Sequence, residues 1–234
     1  TWSLLATITL YRPARSVSPQ KVLDTTRHFR DYNLIHMRTD WGTEALSASF
    51  EARWNWGHIH EDVGAFTLWS HRRFWAIDSG YGIPASAAHN MVLVDGEGMP
   101  RRAAGGEIRQ FLNSSLATVA EADAVRSWRR AYSGHFDWLV ANPVDTMMRA
   151  RRQVAMAWAD PEHGVEPYVI VLDDIQKDRR DHRYTWVLGT WPDHTITLLP
   201  EKNGARLEAP FNDRWLEGPN TPMDWSESHR HYIE

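Results

Sequence analysis

Short runs of β-forming residues follow one another along most of this chain, and they constrain its fold more than any other feature. Turn-forming pairs such as Asp95-Gly96 and Asn203-Gly204 separate them. Because no amphipathic helix of strong periodicity lies between the runs, the pattern predicts an all-β fold, a large antiparallel β-sandwich, and not a βαβ fold. The runs are residues 34–37, 45–52, 65–69, 74–77, 91–94, 110–119, 146–158, 168–172, 184–188, 195–199 and 205–208.

Only two segments have the character of helices. They are residues 19–30, where Ser18 is a possible N-cap, and residues 120–130. Residues 12–19 are rich in Arg, Pro and Ser, which is typical of a linker. We therefore expect three units: an N-terminal strand and linker (1–32), a metal-binding β-sandwich domain (33–210) and an extended C-terminal tail (211–234).

Composition restricts the possible partners and compartments. A formal net charge of -4 argues against binding nucleic acid through bulk electrostatics, although a local basic patch could still hold an acidic substrate. The absence of cysteine excludes a disulfide scaffold and any thiolate ligand or nucleophile. No stretch approaches the ~20 apolar residues of a membrane-spanning helix. The first residues lack Met and a basic region, so we expect no signal peptide here and a chain cut from something longer.

The stretch from Gly57 to Phe66 contains a possible set of metal ligands. If residues 58–62 are extended, His58, His60 and Asp62 share one face of the strand. A second β-rich run ends at Asp78, and a third is entered through His89. Three adjacent strands would bring His60, Asp78 and His89 together. Two imidazoles and one carboxylate, with an open or water-filled fourth position, are a common tetrahedral zinc set.

Each part of this pattern also has a simpler interpretation. A His-x-His pair alone is weak evidence for a metal, because exposed strand histidines are frequent. Asp78 precedes Ser-Gly and could open a turn, and His89-Asn90 could satisfy the backbone of a loop. The combination of all three features is less easily dismissed than any one of them.

Thirteen tryptophans are a large number for a chain of this size. Indole faces stack on the apolar faces of sugar rings, so the excess fits a carbohydrate partner. Trp54 and Trp56 alternate just before His58 and are candidates for lining a surface cleft. We expect core positions for the tryptophans within β-rich runs: Trp69, Trp75, Trp158 and Trp186.

Three motifs in the first half of the chain form one pattern. They are His58-x-His60-x-Asp62-x-Gly64-x-Phe66, then Ala76-Ile77-Asp78-Ser79-Gly80, then Ala88-His89-Asn90-x-Val92-x-Val94-Asp95-Gly96-x-Gly98. This pattern resembles the β-sandwich C-terminal domain of heparinase II/III-like polysaccharide lyases, which include alginate and heparan lyases. Arg151-Arg152-Gln153-Val154 and the run 168–175 also match the family's later strands, so the resemblance covers residues 33–199.

The resemblance implies a zinc-stabilised, supersandwich-like domain packed beside an (α/α) toroid, with an acidic polysaccharide in the cleft between them. By position, His60, Asp78 and His89 match the zinc ligands, and His58 matches a histidine that reaches into the active site. The implied reaction is β-elimination, in which the C5 proton of a uronate is abstracted and the 4-linked sugar departs. His58 is chemically fit to neutralise the uronate carboxylate.

The family pattern is incomplete in two places. The catalytic Tyr and a further His or Asn lie on the toroid, which no segment of this chain could form, so we expect the toroid upstream in the same polypeptide or on a partner chain. The connection between Asp78 and His89 is short where relatives often have a longer substrate-binding loop, and Tyr81 is a candidate to take over its substrate contacts. The resemblance also implies a periplasmic or secreted protein.

Three functions from different classes fit these observations. The first is the β-sandwich portion of a polysaccharide lyase. The second is a non-catalytic carbohydrate-binding or structural sandwich in which zinc is only a staple. The third is a zinc-dependent hydrolase with Glu61 or Asp62 as base. Strand alternation points Glu61 away from the metal face, which counts against the third.

Overall fold

The chain folds into antiparallel β-sheets, as predicted. A computed structural model describes residues 17–53, 60–78, 80, 83–133, 138–141, 146–209 and 230–233. Within these ranges the only α-helix is α1 (Val125–Arg129). The strands are β1 (Thr26–Phe29), β2 (Leu34–Arg38), β3 (Ser47–Glu51), β4 (Phe66–Ser70), β5 (Arg73–Ala76), β6 (Val92–Val94), β7 (Glu107–Asn113), β8 (Ala117–Asp123), β9 (Arg130–Ser133), β10 (Trp138–Ala141), β11 (Arg149–Ala157), β12 (Tyr168–Gln176), β13 (Tyr184–Gly189), β14 (Thr195–Leu199), β15 (Gly204–Glu208) and β16 (Arg230–Ile233).

The first sheet is a meander in the order β1-β2-β3-β4-β5. In β2 and in most of β3, buried residues alternate with half-buried ones, as the period of two requires. Ile35, Phe50 and Phe66 occupy neighbouring positions on the buried face of β2, β3 and β4. The opposite face, which we call the outer face of the first sheet, carries polar side chains such as His36 and Ser49.

The second sheet has the order β12-β11-β8-β7 and supplies the other half of the core. Alternate residues of β11 are buried, among them Ala150, Val154 and Met156. These side chains belong to the same core cluster as Ile35 and Phe50 of the first sheet. Two antiparallel sheets that share one core form the predicted β-sandwich.

A third sheet, in the order β16-β13-β6, continues from the end of the first. The backbone N–H of Ile77, directly after β5, donates to the carbonyl oxygen of Gly189 at the end of β13, 2.9 Å away. Two further hairpins, β9–β10 and β14–β15, complete the described strands. No helix in this described part of the chain is long and apolar enough to cross a membrane.

The first predicted helix is wrong, and the second is correct only in its later half, where α1 (Val125–Arg129) lies. Residues 26–29 of the first are strand β1, and only Pro19–Lys21 form a 3₁₀ turn. Residues 120–123 of the second belong to β8, where Ala120 pairs with Val154 of β11 and faces the core. Sheet pairing and burial at a period of two therefore override the helix propensity of the alanines.

The tryptophans divide differently from the prediction. Trp158 and Trp186 pack against the core, as expected. Trp69 instead contacts Phe74 edge to face with ring centroids 4.9 Å apart, and Trp75 lies 5.2 Å from the ring of His194. Trp128 of α1, at 5% exposure, is buried in the core although no β-rich pattern marked it.

The predicted domain boundaries fall close to paired strands. The boundary at residues 32 and 33 lies inside the β1–β2 hairpin, whose turn is the 3₁₀ segment Arg30–Tyr32. The predicted tail, residues 211–234, includes β16, which pairs with β13. The three-unit division remains a proposal.

Candidate metal centre

The three predicted metal ligands come together at one edge of the first sheet. His60 lies in the loop that precedes β4, Asp78 lies two residues after β5, and His89 follows the 3₁₀ segment Ser86–Ala88 before β6. One potential ligand atom from each side chain lies within 4.8 Å of the others. The structure therefore brings together the residues that strand spacing and the family resemblance both selected.

The route by which they converge differs from the prediction. Of the stretch 58–62 that was predicted to be extended, residues 60–62 are described and belong to a loop. A turn follows at once, in which the Ala65 N–H donates to the Asp62 carbonyl (2.8 Å) and Gly64 takes a positive φ of 94°. Three neighbouring strands do not carry the ligands either, since β6 belongs to a different sheet from β4 and β5. Hydrogen bonds between loops, and not the predicted pairing of three strands, therefore bring the ligands together.

His89 and Asp78 form the tightest contact of the site. The His89 Nδ1 lies 2.6 Å from the Asp78 Oδ2, and the Gly80 N–H donates to the Asp78 Oδ1 at 2.7 Å. The rings of His60 and His89 are 5.2 Å apart at their centroids. A carboxylate held in this way can ligate a metal or orient the histidine that does.

The second ring nitrogen of His89 shows that the donor set fits a metal. The side chain of His89 is fully buried, and its Nε2 has no hydrogen-bond partner among the described residues. Leaving a buried polar atom unpaired costs about 1–3 kcal/mol, so such atoms usually have a function. Together with His60 and Asp78, His89 forms a two-histidine, one-carboxylate set of a kind that suits zinc.

The surroundings of the site favour positive charge. Burial opposes protonation of His89, but its bond to Asp78 and the charges of Asp78, Asp62 and Glu51 outweigh that effect and raise its pKa. Burial alone would raise the pKa of Asp78, but the hydrogen bond and charge of His89, the hydrogen bond from Gly80 and the charge of His60 together outweigh it, so this pKa is lowered. A divalent cation would gain from the same negative surroundings.

Asp62 and Glu51 add two acids beside the predicted ligands. Asp62 is 3% exposed. Burial, followed by the charge of Asp62, raises the pKa of Glu51 to about 8, although an ion pair with Arg53 opposes this. At neutral pH Glu51 is therefore largely protonated, which leaves fewer negative charges in the site than there are carboxyl groups.

Asn90 holds the elements of the site in place. Its side chain is buried at 1% exposure, and its Nδ2 donates to the carbonyls of Phe66 (2.7 Å) and Ile77 (3.0 Å). Its Oδ1 accepts from the Gly189 N–H at 2.7 Å. The simpler interpretation of His89-Asn90, that loop residues satisfy the backbone, is thus correct for Asn90, which joins β4, the end of β5 and β13.

Arg152, which belongs to the motif Arg151-Arg152-Gln153-Val154, is a second support of the site. It is 5% exposed, and its Nη1 donates to the carbonyl oxygens of Gly64 (2.9 Å) and Asn90. Its Nε and Nη2 form a bidentate pair with Asp173 at 2.7 and 3.0 Å. The alternation of β11 contained the signal, since Arg152 interrupts a row of inward-facing apolar residues that includes Ala150 and Val154.

A cavity of about 520 Å³ adjoins the metal centre on the outer face of the first sheet. The described residues that line it are Leu34, Ser49, Phe50, Glu51, Arg53, His60, Asp62, Ala65, Phe66, Thr67, Asp78 and Gly80. Two of the three predicted ligands therefore face a space large enough for a sugar-sized ligand. Asp62 is part of this lining, whereas Glu61 is not.

Four predicted site residues cannot be placed. Trp54, Trp56, His58 and Tyr81 lie outside the described residues. Their assignments as substrate-binding residues and, for His58, as catalytic residue remain predictions.

Several solved structures share the fold of this chain. Heparan sulfate lyase HepC from Pedobacter heparinus matches 87% of the chain with a TM-score of 0.62 and 11% identity. A heparinase III gene product matches 76% with a TM-score of 0.55 and 15% identity, and a further heparinase III structure matches 77% with a TM-score of 0.55 and 11% identity. At these identities the similarity establishes the fold.

The matches are confined to part of each neighbour. The chain spans 31%, 26% and 27% of those three proteins, respectively. No protein-family model matches the sequence, and no curated protein matches it. The structural neighbours therefore support the heparinase relationship at the level of the fold.

Proposed function

We propose that this chain is the metal-binding β-sandwich portion of a polysaccharide lyase that cleaves uronate-containing polysaccharide by β-elimination. The observation that carries the proposal is the convergence of His60, Asp78 and His89 beside a cavity of about 520 Å³. The fold similarity to heparan sulfate lyase HepC and heparinase III supports it.

In this proposal His60, Asp78 and His89 hold one zinc ion. The ion would supply positive charge at the edge of the cavity and tie together the three segments that carry its ligands. Asp78 and the orphaned Nε2 of His89 are the parts of the chain best prepared for it. Asn90 and Arg152 would keep those segments in place through their hydrogen bonds to the backbone.

His58 is the proposed catalytic residue of this chain. Abstraction of the weakly acidic C5 proton requires that the neighbouring uronate carboxylate be neutralised, and a histidine can do this by hydrogen bonding or by charge. Support comes from the sequence, since His58 stands two residues before His60. Trp54, Trp56 and Tyr81 are the proposed substrate contacts.

The proposal requires further protein components and a compartment. The catalytic Tyr and a further His or Asn would come from an (α/α) toroid domain, in the same polypeptide or on a partner chain. The substrate class is an acidic polysaccharide, such as a glycosaminoglycan or alginate, and the expected location is periplasmic or secreted. Neither nucleic acid nor a membrane span has a part in it.

Ultraviolet absorbance tests the proposal directly, because elimination creates a conjugated unsaturated uronate and hydrolysis does not. The polypeptide that combines this chain with its toroid is mixed with heparan sulfate or with alginate, and absorbance is followed alongside new reducing ends. We expect both signals to rise with wild type. With His58→Ala, the rate at which the absorbance increases should be lower by about 100-fold or more.

Two other results would each point to a different function. Reducing ends without absorbance would replace the lyase with a hydrolase. Binding without either signal would leave a non-catalytic carbohydrate-binding sandwich stapled by its metal.

A further inference from the structure

Two arginines lie on the outer face of the first sheet, beyond the cavity. Alternation in β2 buries Ile35 and Met37 and turns His36 and Arg38 outward. Arg27 of β1 pairs directly with His36 and is exposed. The two arginines therefore lie on the same face, next to His36. Arg27 is opposite His36 on β1, and Arg38 is two residues further along β2.

The side chain of Arg38 is held in a defined position. Its guanidinium carbon lies 4.3 Å from the centroid of the Trp41 ring, and its Nε donates to the Asp40 carbonyl. Trp41 is in turn fixed by a hydrogen bond from its Nε1 to the Leu23 carbonyl at 3.3 Å. The stack restrains Arg38 and leaves its Nη groups without a partner among the described residues.

Neither arginine forms an ion pair within the part of the chain that the structure describes. The carboxylate of Asp40 instead accepts from the Gly42 N–H and the Thr39 hydroxyl. By contrast, Arg109, Arg149 and Arg151 on the second sheet each pair with an aspartate. Arg27 and Arg38 thus form a local basic patch in a chain whose formal net charge is -4.

The patch is continuous with the cavity. Ser49 and Thr67 line the cavity and are cross-strand neighbours on β3 and β4. His36 is opposite Ser49, and its Nδ1 lies 3.0 Å from the serine hydroxyl. Arg38 is two residues further along β2, so Leu34 at the cavity and Arg38 are separated by about 13 Å along the strand. An extended ligand can therefore occupy the cavity and reach Arg38.

We infer that this face is a second binding region for an acidic oligosaccharide, in which Arg27 and Arg38 bind carboxylate or sulfate groups of sugar units beyond the cavity. The guanidinium fork matches such anions with two parallel hydrogen bonds, and Trp41 keeps the fork of Arg38 oriented. The inference rests on the proposed function, which places an acidic polysaccharide in the adjoining cavity.

Oligosaccharide length is the variable that tests it. The chain, with its toroid where the two are one polypeptide, is titrated calorimetrically with heparan-derived di- and hexasaccharides and with unsulfated uronate hexasaccharides. Arg38→Ala and Arg27→Gln should each weaken hexasaccharide binding about tenfold and leave disaccharide binding within about twofold. Arg149→Ala, which removes a paired arginine from the second sheet, is the control and should change neither. The thermal midpoint of each variant shows that it is folded.

The two hexasaccharides identify the anion. If the arginine variants lose affinity only for the sulfated hexasaccharide, the arginines bind sulfate. If they lose affinity equally for both hexasaccharides, the arginines bind the uronate carboxylate. Three results would each overturn the inference. The first is an equal loss of affinity for the di- and the hexasaccharide, and the second is a similar loss of affinity in Arg149→Ala. The third is binding of a neutral hexasaccharide as tight as that of the acidic ones. An enzyme that still eliminates uronate polymers under those outcomes would keep the proposed function intact.

Discussion

Arg152 donates a hydrogen bond from its Nη1 to the backbone carbonyl of Asn90, the residue next to the proposed ligand His89. The same nitrogen reaches the carbonyl of Gly64, four residues after His60. One buried guanidinium in the second sheet thus holds two of the loops that carry the ligands. Asp173 balances its charge through two hydrogen bonds.

Removing this guanidinium should destabilise the protein strongly. Arg152→Met leaves two buried carbonyls and the part-buried Asp173 carboxylate without their donor, and each buried acceptor left unpaired costs about 1–3 kcal/mol. Urea denaturation monitored by circular dichroism gives the free energy of unfolding. We also expect the variant to hold less zinc, since the loops that carry His60 and His89 lose their common support.

The neighbouring arginine provides the control for that measurement. Arg151 points outward, and its Nε lies 3.8 Å from the Asp123 carboxylate, with 44% of its side chain exposed. Surface pairs of this kind contribute about 0–1 kcal/mol, so Arg151→Met should be nearly neutral. Equal destabilisation by the two substitutions would contradict the role of Arg152.

Asn90 should tolerate even a small change poorly. In the wild type, the carbonyls of Phe66 and Ile77 accept hydrogen bonds from the Asn90 amide. Asn90→Asp keeps an acceptor for the Gly189 N–H but places a carboxylate oxygen against those two carbonyls. We expect a loss of about 3 kcal/mol or more in the free energy of unfolding at neutral pH, because a buried charge replaces two hydrogen bonds. A variant with a wild-type unfolding midpoint would show that these bonds contribute little.

His182 should make stability depend on pH. Its Nδ1 lies 2.8 Å from Asp95 and its Nε2 lies 2.9 Å from Asp178, so both nitrogens donate when the ring is protonated. The bond to Asp178, and then the bond to Asp95, raises the pKa of His182 above its ordinary 6.5. Its stabilising contribution is therefore fully present below pH 6.5 and is lost as the pH rises through the raised value.

Thermal midpoints measured across this pH range check that sign. We expect wild type to exceed His182→Gln most at acidic pH, and the difference to shrink as the pH rises above the raised pKa. His163→Gln, which removes an exposed histidine beside Asp160, is the control for a general effect of histidine loss. A difference between wild type and His182→Gln that grows with pH would refute the assignment.

The strands and the ligand residues were predictable for different reasons. Local β propensity and alternation identified most of the described strands but not β1, β9, β10 and β16. Residues 110–119 were predicted as one run and are parts of β7 and β8 joined by a hairpin turn. His60, Asp78 and His89 were found because their spacing matched a family pattern. The loop around Gly64 was missed, since its conformation depends on Arg152, which lies 88 positions away in the sequence.

The basic patch was not predictable from the sequence. Arg27 and Arg38 resemble the chain's other arginines, and only the pairing of β1 with β2 places them on one face around His36. Whether an arginine has an ion-pair partner depends on tertiary structure, as the contrast with Arg149 shows. The number of charged residues in the sequence therefore gives the net charge of the chain but not the position of the basic patch.

Zinc stoichiometry tests the central claim of this account most directly. Elemental analysis of the purified protein should find about one zinc per chain in wild type and in the control His182→Gln, and a small fraction of that in His60→Ala, Asp78→Ala and His89→Ala. The thermal midpoint of wild type should fall on removal of the metal by a chelator. A folded wild-type protein with substantially less than one metal per chain, or triad variants that retain it, would contradict the claim.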